Sequence, residues 1–293
     1  MGKRTVNFFS EGARLEGDLM LPSDLKTGER RPGIVLCHGF TGVRSFLLED
    51  YAKMFVRAGF AALTFDYRGW GGSEGEKWRL IPLEQVDDIR NAISFFEAQA
   101  MVDPERLGLW GTSYGGAHAP YVGAVDTRVK VAVGQVGFAE GDRFLLDVRG
   151  YGERVELLHR IAADRKRRAF EGVSEKVNPR FLLCSSQSVE FARKRAEANP
   201  GAPVAEVTLE IAEKTMEYKP LEVVDRIAPR ALLLIGARDD NVCPIEGYQK
   251  LYERAREPKK LAVLPITHYE IYSGKWFDES SRLAREWFTR FLT

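Results

Sequence analysis

Short apolar runs alternate along the chain with stretches in which apolar residues recur every three or four positions. The first two runs, residues 6–11 and 14–22, flank a Glu-Gly pair and read as a leading hairpin. Residues 33–38 (GIVLCH), 60–66 (FAALTFD), 106–110 (RLGLW), 129–134 (VKVAVG), 231–236 (ALLLIG) and 260–264 read as further strands. Several are apolar throughout, as strands buried on both faces are. Between them the spacing predicts helices over 46–58, stopped by Gly59, over 83–100, over 248–256 and over 280–292. The second places Val86, Ile89, Ile93 and Phe96 on one face. Asp103-Pro104 ends it before the strand at 106–110. Alternating strands and helices imply an α/β fold, a mostly parallel sheet of about eight strands flanked by helices.

The rhythm breaks in the middle. Residues 139–228 are charged, helical in period and without convincing strands, punctuated by Asn178-Pro179, Asn199-Pro200-Gly201 and Ala202-Pro203. This predicts a helical cap, 139–228, inserted into a core made of 1–138 and 229–293. A long insertion at such a place covers a pocket.

Composition narrows the classes. The 293 residues are enough for one large α/β domain with an insertion. Lys and Arg total 43 against 42 Asp and Glu, a balance that points to neither nucleic acid nor an anionic membrane as partner. No apolar run is long enough for a signal peptide or a membrane span, so a cytoplasmic location is expected. Cys37, Cys184 and Cys243 are far apart and odd in number. They are expected to be free thiols, two of them buried, in a reducing compartment. No metal-ligand spacing and no cofactor motif appears.

The candidate chemistry centres on Gly111-Thr112-Ser113-Tyr114-Gly115, a G-x-S-x-G sequence with an apolar strand before it and a helix start after it. That context makes a nucleophile elbow, a strained turn that raises the serine hydroxyl above the sheet. A serine needs a base, a group that orients the base, and donors for the oxyanion. In open sheets these sit in loops at the carboxyl ends of strands, in the chain order serine, acid, histidine. The acid follows the strand at 231–236, where Asp239 and Asp240 are both plausible. Asp239 is preferred because it lies nearer the strand end, and Asp240 is expected to bond its own loop. The base is His268, after the last strand. His38 precedes the serine, His118 lies on the helix after the elbow, and His159 falls in the cap. The oxyanion donors are expected to be the backbone N–H groups of Tyr114 and Phe40, the latter in the loop His38-Gly39-Phe40.

These segments carry a family resemblance. HGF at residues 38–40, FDYRGWGGSEG at 65–75, GTSYGG at 111–116, GARDDNV at 236–242 and the His268 loop occur in the order seen in the α/β-hydrolase superfamily. The chain most resembles the branch of dienelactone-hydrolase-like and X-prolyl-dipeptidyl-peptidase-like enzymes with a helical cap. Its aspartate stretch also resembles that of prolyl oligopeptidases, in which the first Asp of the pair is catalytic, and this implies Asp239. Dienelactone hydrolases carry cysteine where Ser113 stands, and X-prolyl peptidases carry tyrosine where Phe40 stands. The resemblance thus implies the fold and the Ser113, Asp239, His268 triad, with no cofactor, and leaves the substrate open.

Trp70, Phe138, Phe144 and Tyr269 are candidate walls of an acyl pocket. Phe138 and Phe144, with Leu145, Tyr151 and Leu158, would equally suit a contact between two copies of the chain. The Gly-rich loop 66–73 lacks the lysine of a phosphate-binding loop and is expected to pack beside the site. The basic cap residues Arg143, Arg149, Arg154, Arg160 and the run from Arg165 are expected to be a solvated helix face rather than an anion site. The expected function is hydrolysis of a carboxylic ester of a small or medium acyl substrate through an acyl-enzyme. Acyl transfer or thioester cleavage on the same triad, peptide or C–C bond cleavage, and binding on an inactive hydrolase fold are the alternatives.

Overall fold

The computed structural model describes residues 2–198 and 205–293, so the predicted turns at Asn199-Pro200-Gly201 and Ala202-Pro203 lie outside the described residues. The chain opens with β1 (Gly2–Ser10), β2 (Ala13–Leu21) and β3 (Arg31–Cys37), then α1 (Leu48–Arg57) and β4 (Ala61–Phe65). Next come α2 (Pro82–Glu97), β5 (Val102–Thr112), α3 (Tyr114–Val125) and β6 (Val129–Gln135). Five helices follow: α4 (Gly141–Leu146), α5 (Tyr151–Glu171), α6 (Pro179–Leu182), α7 (Ser186–Ala198) and α8 (Glu210–Met216). A two-residue ladder ties this segment together, β7 (Lys176–Val177) against β8 (Val207–Thr208). The core resumes with β9 (Ala231–Ala237), α9 (Ile245–Arg254), β10 (Lys259–Leu264) and α10 (Gly274–Leu292).

Eight strands form one sheet in the order β1-β2-β4-β3-β5-β6-β9-β10. The hairpin β1–β2 and the β2–β4 pair are antiparallel, and all other pairs are parallel. Alternation along the strands separates two apolar layers. Leu109 of β5 packs toward α2 and α3, with Ile89, Ile93, Phe96 and Ala117, while its neighbour Trp110 packs toward α1 and α10, with Phe55 and Phe288. Central strands face helices on both sides, which is why β9 is buried at every residue and reads as an unbroken apolar run.

Several elements differ from expectation in extent. β5 starts at Val102 and takes in Asp103-Pro104, because its pairing with β3 jumps from Asp103 opposite Pro32 to Leu107 opposite Gly33 and the proline sits in the bulge between them. α10 starts at Gly274, six residues before its predicted start. Ser280 and Ser281 read as a helix start, but their hydroxyls bond back to the Phe277 carbonyl at 3.2 and 2.6 Å inside the helix. The segment between β6 and β9, expected without strands, holds the short β7–β8 pair.

The site is placed by a reversal of strand order. From β3 the chain adds β4 on one side and β5 on the other. The loops leaving β3 and β5 therefore diverge and open a crevice at the carboxyl edge of the sheet.

Candidate active site

Ser113 stands between the end of β5 and the first turn of α3, with φ 55° and ψ −119°. A non-glycine residue holds such a conformation only where its surroundings impose it. Here they do. A Cβ at Gly111 would come within 2.0 Å of the Gly115 carbonyl oxygen, and one at Gly115 within 2.4 Å of the Cys37 carbonyl oxygen. Strand, turn and helix therefore close on one another with no room for side chains, and the serine is turned outward. Its hydroxyl lies 3.1 Å from His268 Nε2.

His268 follows β10 and is buried. Its Nδ1 lies 2.7 Å from Asp240 Oδ2. A carboxylate only accepts, so Nδ1 carries the hydrogen and Nε2 is left as the acceptor that faces Ser113. The other carboxylate oxygen of Asp240 accepts from the main-chain N–H groups of Val242 and Cys243 at 2.7 and 2.8 Å. The Asp240 side chain has no exposed surface.

The structure brings Asp240, not Asp239, to the histidine. β9 runs to Ala237, and its pairing continues past that point: Arg238 N–H donates to the Leu264 carbonyl and Asp239 N–H to the Ile266 carbonyl. The turn toward the serine thus begins one residue later than proximity to the strand suggests. The Asp239 side chain is 52% exposed and pairs with Arg238 at 3.0 Å, which holds its carboxyl below the usual range. Asp240 does bond its own loop, but with one oxygen only.

Two backbone segments flank the serine, the start of α3 and the loop after β3. Tyr114 opens α3, so its N–H has no intrahelical acceptor, and the helix dipole adds partial positive charge there. The loop from His38 to Gly42 lies across from it and lines the same cavity, with a Cβ at Gly39 only 2.9 Å from Ser113 Cβ. Arg44, which the sequence reading did not single out, pins this loop. Its main-chain N–H donates to Asp66 Oδ1 at 2.7 Å, its Nε pairs with Asp18 at 3.1 Å, and its guanidinium also meets Asp66 and Glu16. Asp66 in turn belongs to the Gly-rich loop, where it accepts from Gly72 N–H at 3.1 Å. The Gly-rich loop thus braces the His38–Gly42 loop through Arg44.

Ser113 and His268 open into a cavity of about 160 Å³. Phe40, Phe46, Leu48, Phe191, Tyr269 and Tyr272 give it an apolar lining, and Arg180 and Arg195 of α6 and α7 also border it. Among the described residues, no Asp or Glu lines it. Of the four candidate wall residues only Tyr269 lines it. Trp70, within the Gly-rich loop, is buried away from this cavity, its Nε1 donating to the Arg79 carbonyl at 3.3 Å and its ring meeting Trp78 edge-on. Phe138 and Phe144 stack on each other at 4.5 Å and border a separate hollow with Arg143 and Lys250. Both had been assigned from the apolar pattern of the chain after β6, which does not tell which side of α4 faces the serine.

Of the basic residues named from sequence, Arg143, Arg165 and Arg167 are exposed as expected, whereas others are tied to their own segment. Arg149 donates to the Leu182 carbonyl at 2.8 Å and Arg154 to the Arg149 carbonyl at 2.9 Å. Arg160 pairs with Glu175, and Arg165 and Arg168 both reach Glu213. His118 and His38 are buried, and burial pushes both toward the neutral form, His118 to about 3. Burial pushes the Cys37 thiol up to about 12 and the Cys243 thiol well above its usual range, so neither competes as a nucleophile. Among the described residues no helix is long and apolar enough to cross a membrane.

The chain is similar to known proteins along most of its length. The sequence model of the family described as serine aminopeptidase, S33, matches residues 28–272. A curated relative, an uncharacterized 31.7 kDa protein in the traX-finO intergenic region of Escherichia coli, is 36% identical over 265 residues, 90% of this chain and 92% of its own length. The polyketide transferase grgF of a Penicillium species is 26% identical over 243 residues, 80% of each chain. The crystal structure of an alpha/beta hydrolase, GrgF from Penicillium sp. sh18, superposes with a TM-score of 0.84 at 23% identity, covering 100% of this chain and 99% of that one.

Proposed function

Because the chain belongs to the α/β-hydrolase family described as serine aminopeptidase, S33, we propose that it is a serine hydrolase that cleaves carboxylic esters through an acyl-enzyme. One observation carries the reading: Ser113 Oγ, His268 and Asp240 form a chain of 3.1 and 2.7 Å hydrogen bonds that ends in the cavity. Ser113 attacks the acyl carbonyl and its proton passes to His268 Nε2. Asp240 holds the imidazole in that tautomer and offsets the positive charge that forms. The N–H groups of Tyr114 and Phe40 receive the oxyanion. His268 returns the proton to the departing alkoxide, and water then releases the acid from the serine by the same steps.

The family's name does not fix the substrate. An aminopeptidase must hold a free ammonium group, and among the described residues the cavity lining offers it no carboxylate. Apolar walls bordered by two arginines favour a neutral or anionic acyl group instead. A second reading, acyl transfer, draws on the polyketide transferase among the relatives and on the apolar lining, which limits water at the acyl-enzyme.

The test is turnover of p-nitrophenyl esters from acetate to dodecanoate, with half-esters of dicarboxylic acids alongside, in the native protein and in Ser113→Ala. The proposal expects an optimum among short or medium chains and a loss on the order of 10⁶ in kcat for the variant. Faster release of nitrophenol when an alcohol or thiol acceptor is added, with the acyl group found on the acceptor, would favour transfer. Equal turnover by Ser113→Ala would sink both readings.

A further inference from the structure

One side chain of the cap reaches both loops that carry the acid and the base. Gln187 is the second residue of α7. Its Nε2 donates to the Asp239 carbonyl at 2.7 Å. Its Oε1 accepts from the His268 main-chain N–H at 3.1 Å and from the Asn241 N–H at 3.4 Å. Its own main-chain N–H donates to Asn241 Oδ1 at 3.4 Å, and the Asn241 amide donates to Ser186 Oγ at 2.7 Å. The Gln187 amide therefore touches the residue before Asp240, the residue after it, and His268 itself. Its polarity is matched: two N–H groups face its oxygen and one carbonyl faces its NH₂. A carboxylate would satisfy the first pair and repel the second partner.

We propose that Gln187 is a positioning residue, through which the cap keeps Asp240 and His268 in register beneath Ser113. The proposal rests on the triad reading given above. Within the core the two loops are joined by the Asp239 N–H to Ile266 carbonyl bond and by the Asp240–His268 pair, and Gln187 adds a tie from a separate segment. The same helix supplies Ser188, Phe191, Ala192 and Arg195 to the cavity wall. Phe191 stacks on Tyr269, the residue after His268, at 4.1 Å with the rings 4° from parallel. Ser188 Oγ lies 3.2 Å from the Tyr269 hydroxyl. The wall that meets an acyl group and the clamp that aligns the triad are thus one helix, so the seating of the cap sets both. A displacement of about 1 Å at reacting groups costs on the order of 10²-fold in rate.

The experiment compares Gln187→Ala and Gln187→Glu with the native protein on the best ester of the panel. Active sites are counted by the end point of fluorophosphonate labelling, so unfolded protein does not enter the rates. The expected result is a fall of about 10- to 100-fold in kcat per site for Gln187→Ala, with KM changed by less than about threefold. Gln187→Glu keeps the acceptor for His268 and Asn241 and is expected to fall between Gln187→Ala and the native enzyme. A Gln187→Ala protein within about twofold of native kcat per labelled site, or one altered in KM alone, would overturn the proposal and leave the triad standing. A native protein that neither labels nor turns over would overturn the triad reading, and the proposal with it.

Discussion

At the scale of single residues, the account depends on which of two adjacent aspartates supports the histidine. Asp240 is fully buried, accepts from His268 and is fixed by two main-chain N–H groups, whereas Asp239 is half in solvent beside Arg238. Asp240→Asn should leave the shape of the site intact yet favour the wrong imidazole tautomer, lowering kcat on the order of 10⁴-fold. Asp239→Asn loses only an exposed ion pair and should stay within about threefold of native. Ester turnover by the two purified variants checks the pair, and a reversed order would return the role to Asp239. Ser113 and His268 were legible because strand, turn and chain order restrict them strongly. The choice between Asp239 and Asp240 was not, because it turns on two further ladder bonds beyond β9, which no residue pattern announces. Arg44 was also illegible: its partners Glu16, Asp18 and Asp66 come from β2 and the chain after β4, and only folding brings them together.

At the scale of elements, strands and core helices were read well where burial imposes a clear period, as in α2 and β9. Boundaries failed where a local signal was overruled by packing. The closing helix was expected from Ser280, but α10 begins at Gly274 and its serines bond within it, Ser280 also meeting Tyr51 of α1 at 3.1 Å. Within the core, α2, α3 and the segment after α8 are joined at His118. Its Nε2 meets Gln85 Oε1 and its Nδ1 meets the Tyr218 hydroxyl, both at 3.0 Å. Since Gln85 Oε1 can only accept, Nε2 carries the hydrogen, and in the neutral ring that burial favours Nδ1 accepts from the Tyr218 hydroxyl. Burial, with a smaller contribution from His38, lowers the His118 pKa from 6.5 to about 3. The unfolded chain therefore binds a proton between these values that the folded chain refuses. The stabilisation is complete above about pH 6.5 and is lost as the pH falls toward 3, at up to about 1.4 kcal/mol per pH unit for this one group. Urea unfolding at several pH values from 7 to 4 should show a decline that is shallower in His118→Gln, though that variant starts from a lower stability. Identical slopes would mean that His118 is not held neutral.

At the scale of the whole molecule, one sheet and one inserted segment divide the work. The sheet's strand reversal between β4 and β5 opens the crevice, the loops at its edge supply serine, acid and histidine, and α6 and α7 close a small apolar chamber over them. The alternation of strands and helices was enough to anticipate the sheet, and the change of composition after β6 was enough to anticipate that something different follows it. Neither told which face of that segment meets the serine, which is why Phe138 and Phe144 were placed in the wrong hollow and Phe191, Arg180 and Arg195 were passed over. The central claim is that this architecture makes Ser113 a nucleophile. The most direct measurement is reaction of the folded protein with a fluorophosphonate, followed by mass spectrometry of the intact chain and of its peptides. The account predicts a single adduct on Ser113, absent from Ser113→Ala and slowed in Asp240→Asn. A folded native protein that takes up no reagent, or carries it on another residue, would contradict it.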